Sequence, residues 1–232
     1  MMNCDVLIVG AGPAGIFTAL EIIRLKKKKN IIIMEKGRPI EKRACPKINT
    51  KKCMSCKPFC HITTGFSGAG AFSDGKLSLS CEVGGDLPDL IGRQTTQELI
   101  DYTDSVYLEF GAVPVVEGLD KFEETKDIRR RAIKAGLKLV DCPIRHLGTE
   151  KAQELYCNIQ QYLIEQGVEI LFETECVSLV LEQHICKGVR AHQVGKEDYF
   201  EVRAASTIVA AGRRGAEWLE GICRQYDILH EA

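Results

Sequence analysis

The sequence predicts an α/β fold with a central parallel sheet, and three observations carry that prediction. Short, continuous apolar runs stand at residues 4–9 and 31–34, a glycine turn follows the first at once, and an amphipathic stretch separates the two. Strands covered on both faces read as unbroken apolar runs. Parallel neighbours need a crossover, usually a helix, between them.

Residues 4–9 form the first predicted strand, rich in β-branched side chains and closed at Gly10. The turn Gly10-Ala11-Gly12-Pro13-Ala14-Gly15 fits GxGxxG, and apolar residues at Ile16, Ala19, Leu20 and Ile23 then recur at helical spacing. Gly10 permits the tight turn, Gly12 lets a pyrophosphate approach the backbone, and Gly15 lets the helix pack closely on the strand. A phosphate then sits on the helix N-terminus, beside Pro13 and Ala14. Lysines at 26–29 are read as a solvated helix end that suits the dipole. After a turn at Asn30, the strand at 31–34 ends on Glu35, 20 residues beyond Gly15, with Lys36 next to it. A carboxylate there accepts from both ribose hydroxyls and repels a 2′-phosphate. Strand, fingerprint, helix, strand and acid in this order specify a Rossmann-like βαβ unit that binds a dinucleotide.

Composition narrows the function classes. The 31 Lys and Arg against 32 Asp and Glu leave a formal charge of −1, so no large cationic field attracts nucleic acid or an anionic membrane. No run approaches the ~20 apolar residues needed to span a bilayer. The start, Met-Met-Asn-Cys-Asp, lacks the basic and long apolar regions of a secretory signal, so a cytoplasmic location is expected. There the 11 cysteines are expected as reduced thiols or metal ligands, not structural disulfides.

The fingerprint alone does not separate FAD from NAD. A second GxGxxG, expected of an enzyme with a separate NAD(P)H domain, is missing: Gly68-Ala69-Gly70-Ala71-Phe72-Ser73 breaks the pattern at Ser73. Residues 206–213 run as a strand into a glycine turn at Ala211-Gly212, which resembles the corresponding strand of two-dinucleotide-fold flavoproteins. Residues 65–77 form a second glycine-rich stretch, long enough to wrap a ligand with backbone N–H groups. Together with Cys45-Pro46, the segment 53–60, the segment 143–149 and Gly212-Arg213-Arg214-Gly215-Ala216-Glu217-Trp218, it resembles the uncharacterised bacterial FAD-dependent dehydrogenase family. That resemblance implies FAD as cofactor. It also implies contacts from Gly68, Gly70, Ser73, Asp74 and Lys76 in the glycine-rich loop, and an adenine contact through the backbone of Cys176.

Further along, residues 94–110 and 126–136 read as helices, and 111–116 as a strand or extended edge. Thr149 is expected to cap a helix running to about Gln166, with Gly167 closing it. Residues 168–172 read as a strand, and 185–193 and 199–209 as strands of a β-meander. The whole, 1–232, is expected to be one FAD-binding domain with a Cys- and Gly-rich segment at 45–76. Flavoproteins of this type usually continue through a substrate domain and return with a C-terminal Gly-Asp segment. Only 20 residues follow Gly212, so the substrate domain is expected to be absent, with the chain truncated or completed by a companion chain.

Cys45, Cys53, Cys56 and Cys60, spaced C-x7-C-x2-C-x3-C beside His61, are candidate ligands for zinc or an iron–sulfur cluster. Unmetallated thiols and a redox dithiol at Cys53 and Cys56 are the alternatives. Arg145 and His146 follow a proline, in a loop that either reaches a flavin or substrate or is ordinary surface. The function expected is hydride transfer between an organic substrate and the flavin, with no catalytic residue assigned. The rivals are a non-catalytic FAD-binding module, a metal-based electron carrier and an NAD(P)-binding protein. A small-molecule substrate or an electron-transfer protein is the expected partner.

Overall fold

The computed structural model describes residues 2–73, 75–119 and 121–230, with nothing described for the side chain of Thr149. In chain order the elements are β1 (Met2–Val9), α1 (Pro13–Arg24), β2 (Ile31–Met34), α2 (Lys47–Thr50), β3 (Lys76–Ser78), α3 (Leu87–Ile91), α4 (Arg93–Glu109), α5 (Phe122–Lys134) and β4 (Ile144–His146). They continue with α6 (Thr149–Glu165), β5 (Glu169–Leu171), β6 (Thr174–Glu182), β7 (Ile185–Gln193), β8 (Tyr199–Val209) and α7 (Ala216–Gln225). The chain forms two compact units, one of residues 1–71 with 159–232 and one of residues 72–158.

The first unit is built on a six-stranded sheet in the order β5-β2-β1-β8-β7-β6. β1 pairs in parallel with both β2 and β8, and β2 with β5. β6, β7 and β8 form an antiparallel meander. This is the mostly parallel α/β sheet with a meander that the apolar runs predict. Leu7, Ile8, Ile32 and Ile33 are fully or almost fully buried, as continuous apolar strands require. Pro13 opens α1, where a missing N–H costs nothing. The buried stripe of α1 is Gly15, Ile16, Ala19 and Leu20, spaced as one helical face. Leu7, Val9, Ile32, Met34, Val189, Ala191 and Val202 form the heart of one apolar cluster, with Trp218 of α7 packed against it.

In the second unit β3 pairs antiparallel with β4, placing Lys76 opposite His146. Residues 111–116 form no strand. The carbonyls of Val113 and Val115 accept hydrogen bonds from the Arg145 guanidinium at 2.7 and 3.3 Å, so they are not available to a ladder. Arg145 itself is 4% exposed and held bidentate by Asp104, with Nη2 2.7 Å from Oδ2. Its guanidinium is thus occupied within the unit, and it lies on a strand, not in the expected loop. α5 begins at Phe122, four residues before the predicted start. The expected cap at Thr149 and the expected contact at Asp74 lie outside the described residues.

Candidate functional site

The carboxyl ends of β1, β2 and β8 meet at one edge of the sheet. Gly10 N–H donates to the Met34 carbonyl at 2.8 Å, and Ala210 N–H donates to the Val9 carbonyl at 2.8 Å. Glu35 N–H donates to Leu171, and Thr174 N–H donates back to the Glu35 carbonyl at 3.0 Å. Above this edge lies a cavity of about 530 Å³, within the range of small-molecule and cofactor sites. Ligands of open α/β sheets bind at this place, outside the carboxyl ends of the strands.

The cavity is lined by Gly10, Gly12 and Pro13 of the first turn and by Glu35 and Lys36 after β2. Gly68 and Gly70 of the second glycine-rich stretch, Cys176 of β6, and Ala211 and Gly212 after β8 complete the predicted residues that it gathers. Ala14 is exposed in the first turn of α1, and Gly15 is buried beneath it. Ser73 and Lys76 belong to the second unit.

The two inner glycines of the fingerprint differ in what surrounds them. A Cβ on Gly15 would stand 2.0 Å from the Gly10 carbonyl oxygen and 3.1 Å from Ile8 Cγ2, so this glycine is required by packing. A Cβ on Gly12 would meet nothing within 4 Å, and its φ of −77° suits any residue. The space over Gly12 faces the first turn of α1, whose N–H groups have no acceptor within the helix.

Glu35 is 7% exposed. Its Oε2 accepts from Ala11 N–H at 2.9 Å and its Oε1 from Gly37 N–H at 2.7 Å. A carboxylate has about four acceptor positions, so each oxygen keeps one for a ligand hydroxyl. Glu35 thus holds the glycine turn in shape as well as facing the cavity.

Arg43, which carries no motif in the sequence, organises the second glycine-rich stretch. It is 5% exposed, and its guanidinium donates to the carbonyls of His61 (2.8 Å), Ile62 (2.7 Å), Gly68 (2.7 Å) and Phe66. Burial pushes its pKa down to about 10, opposed by the nearby charges of Glu35 and Cys60, so it stays charged at neutral pH. Ser67 N–H donates to the Ala11 carbonyl at 2.7 Å, tying this stretch directly to the fingerprint turn. Thr63, Thr64, Arg214 and Trp218 also line the cavity. The Trp218 indole N–H donates to the Val177 carbonyl at 3.3 Å. A lone Trp just past a glycine turn was the available signal for it. A single Arg among lysines at 42–52 gave none for Arg43.

A second cavity, of about 500 Å³, is lined by Cys45, Cys53, Cys56, Cys60 and His61, and shares Lys36, Thr64 and Arg214 with the first. Among the described residues no group of three or more His, Cys, Asp or Glu is placed to hold a metal ion. The expectation of zinc or an iron–sulfur cluster on Cys45, Cys53, Cys56 and Cys60 therefore finds no support. These thiols border a common space instead of converging on the ~2.3 Å sulfur–metal distances that ligation needs. The Cys60 thiol is held below its ordinary pKa by the Ile62 backbone N–H, opposed by burial and helped by the Thr63 backbone and hydroxyl, with the Arg214 charge the smallest influence. In contrast, burial, with Cys186 and Glu175 nearby, pushes the Cys176 thiol up to about 12.

No family model matches the chain. An uncharacterized protein of Clostridium beijerinckii is 40% identical over 72 residues, which is 31% of this chain and 13% of that protein. Among solved structures, THI4 of Thermovibrio ammonificans matches 98% of this chain and 64% of its own, at TM-score 0.52 and 14% identity. The 3-ketosteroid-Δ4-(5α)-dehydrogenase of Rhodococcus jostii RHA1 matches 95% of this chain and 48% of its own, at TM-score 0.56 and 15% identity. A flavocytochrome c3 fumarate reductase matches 90% of this chain and 33% of its own, at TM-score 0.50 and 17% identity. The chain thus spans between a third and two thirds of the length of these structures. At these identities the likeness is one of fold, a Rossmann-like α/β fold with a central, mostly parallel sheet. No helix among the described residues is long and apolar enough to cross a membrane.

Proposed function

We propose that this chain binds FAD in the cavity at the carboxyl ends of β1, β2 and β8, and that it is the dinucleotide-binding part of a flavoprotein oxidoreductase. One observation carries the reading: a single cavity gathers the fingerprint turn, the acid after β2, the second glycine-rich stretch and the Ala211-Gly212 turn. The residues present fit the group. The open space over Gly12 and the N-terminus of α1 suit a pyrophosphate. The remaining acceptor positions on Glu35 suit ribose hydroxyls. Lys36 and Arg214 supply positive charge to the same cavity. The bound isoalloxazine would supply the hydride chemistry, and the chain's part is to bind it, orient it and tune its surroundings. The organic substrate of that transfer is a small molecule. Names among the matched structures, a steroid dehydrogenase and a fumarate reductase, accord with redox chemistry on this fold, although one fold hosts many chemistries.

The test is the visible spectrum of the gently purified protein, with the chromophore released by heat and identified. FAD is expected, and Gly12→Val is expected to abolish it while far-UV circular dichroism is kept, because the new side chain enters space the protein leaves open. Trp218, the single tryptophan, lines the cavity, so its fluorescence should fall as FAD is added. A colourless protein that FAD neither colours nor quenches would overturn the proposal.

A further inference from the structure

Four cysteines lie outside the proposed FAD cavity yet border it through shared walls. Cys45, Cys53, Cys56 and Cys60 line the second cavity, and Lys36, Thr64 and Arg214 line both. All four are free thiols; Cys53 is exposed, whereas Cys56 and Cys60 are half-buried. Cys56 and Cys60 are separated by three residues on one loop, so an S–S bond between them closes only a short ring. A metal does not explain the group, since no three of its members are placed to ligate one. Several thiols on one cavity suit thiol–disulfide chemistry, in which the thiolate is the reacting species. Of the four, Cys60 is bound to the wall of the first cavity: its carbonyl accepts from the N–H groups of Thr63 at 3.2 Å and Thr64 at 3.0 Å, and both threonines line that cavity.

We propose that Cys60 and Cys56 form a dithiol–disulfide couple that exchanges two electrons with the flavin held in the adjoining cavity, an inference that rests on the FAD reading. In one direction the dihydroflavin gives up two electrons and two protons, the S–S bond breaks, and two thiols and oxidised flavin result. In the other, the two thiols lose the same electrons and protons, the S–S bond re-forms, and the flavin is reduced. Cys60 is the attacking thiolate and Cys56 the resolving thiol. Arg214, on the wall between the two cavities, stabilises negative charge as it builds on either side.

The test is anaerobic reductive titration of the air-purified, flavin-loaded chain with dithionite, read by flavin absorbance and by thiol count. Four electrons per FAD are expected, with two new thiols released, and a non-reducing peptide map should show the Cys56–Cys60 link before titration. Cys60→Ser and Cys56→Ser should each fall to two electrons per FAD with flavin content unchanged, since neither residue lines the FAD cavity. Cys53→Ser should keep four. A wild-type chain that retains FAD yet takes only two electrons would overturn the couple and leave the FAD reading standing. A map that links Cys53 to Cys56 would overturn the assignment to Cys60. A chain that binds no FAD would overturn both readings. The wild-type titration and map decide the matter even if a serine variant fails to fold.

Discussion

Within one six-residue turn, Gly12 and Gly15 answer to different demands. Gly15 is fixed by the protein, because the Gly10 carbonyl stands 2.0 Å from where its Cβ would be. Nothing in the protein requires Gly12, since a Cβ there would meet nothing within 4 Å. Gly15→Ala should therefore lower stability by about 1–3 kcal/mol in urea titration, the usual cost of overpacking. Gly12→Ala should change stability by no more than about 0.5 kcal/mol and act on FAD affinity instead. Arg43 makes the opposite case, a residue with no motif on which a loop depends. Arg43→Met leaves the carbonyls of His61, Ile62, Phe66 and Gly68 without its donors. At about 1 kcal/mol for each of the four acceptors left unmade, a loss of about 4 kcal/mol is expected, with weaker FAD binding alongside. The fingerprint and Glu35 were legible because their chemistry is tied to spacing. Arg43 was not, because its partners are backbone carbonyls, which leave no side-chain pattern to read.

Among the elements, the strands buried on both faces and the meander were readable from apolar runs and residue type. β2, β7 and β8 fall on their predicted bounds. β6 was not expected: the strand read at 168–172 ended before it, and the turn that leads into it rests on Phe172 and on Glu173 at φ 49°, where glutamate is no turn signal. The predicted edge at 111–116 failed for a reason outside its own sequence, since Arg145 claims two of its carbonyls. That arginine ties α4, through Asp104, to β4 and the 113–115 segment. Arg145→Met would leave the largely buried Asp104 carboxylate without its partner, at a cost of about 3–5 kcal/mol. Chemical denaturation should show the loss. The FAD spectrum should persist, since every residue lining that cavity belongs to the first unit.

For the molecule as a whole, the sheet joins segments far apart in sequence. β1 sits between β2 and β8, and its register with β8 runs from Met2 opposite Val202 to Val9 opposite Val209. Ending the chain at residue 198 would remove β8, separating β1 from the meander and removing the Ala211-Gly212 side of the cavity. Such a chain is expected to yield little soluble protein and no bound flavin, to be checked by soluble fraction and heat-released FAD. The six-stranded order is the part of the fold that sequence alone left unread. Apolar runs announce strands, but which strand lies beside which is decided by pairing across the chain.

That placement of β1 also sets a timetable for biosynthesis. β1 and β2 leave the ribosome early, with Leu7, Ile8, Ile32 and Ile33 exposed, yet the strand that must lie beside β1 ends only at Val209. At about 5–20 residues per second the wait is roughly 10 to 35 s. Through that interval the nascent chain presents an unpaired, strongly apolar strand edge, the kind of surface that aggregates. The βαβ unit of β1, α1 and β2 is therefore expected to need protection from aggregation while the chain is being made.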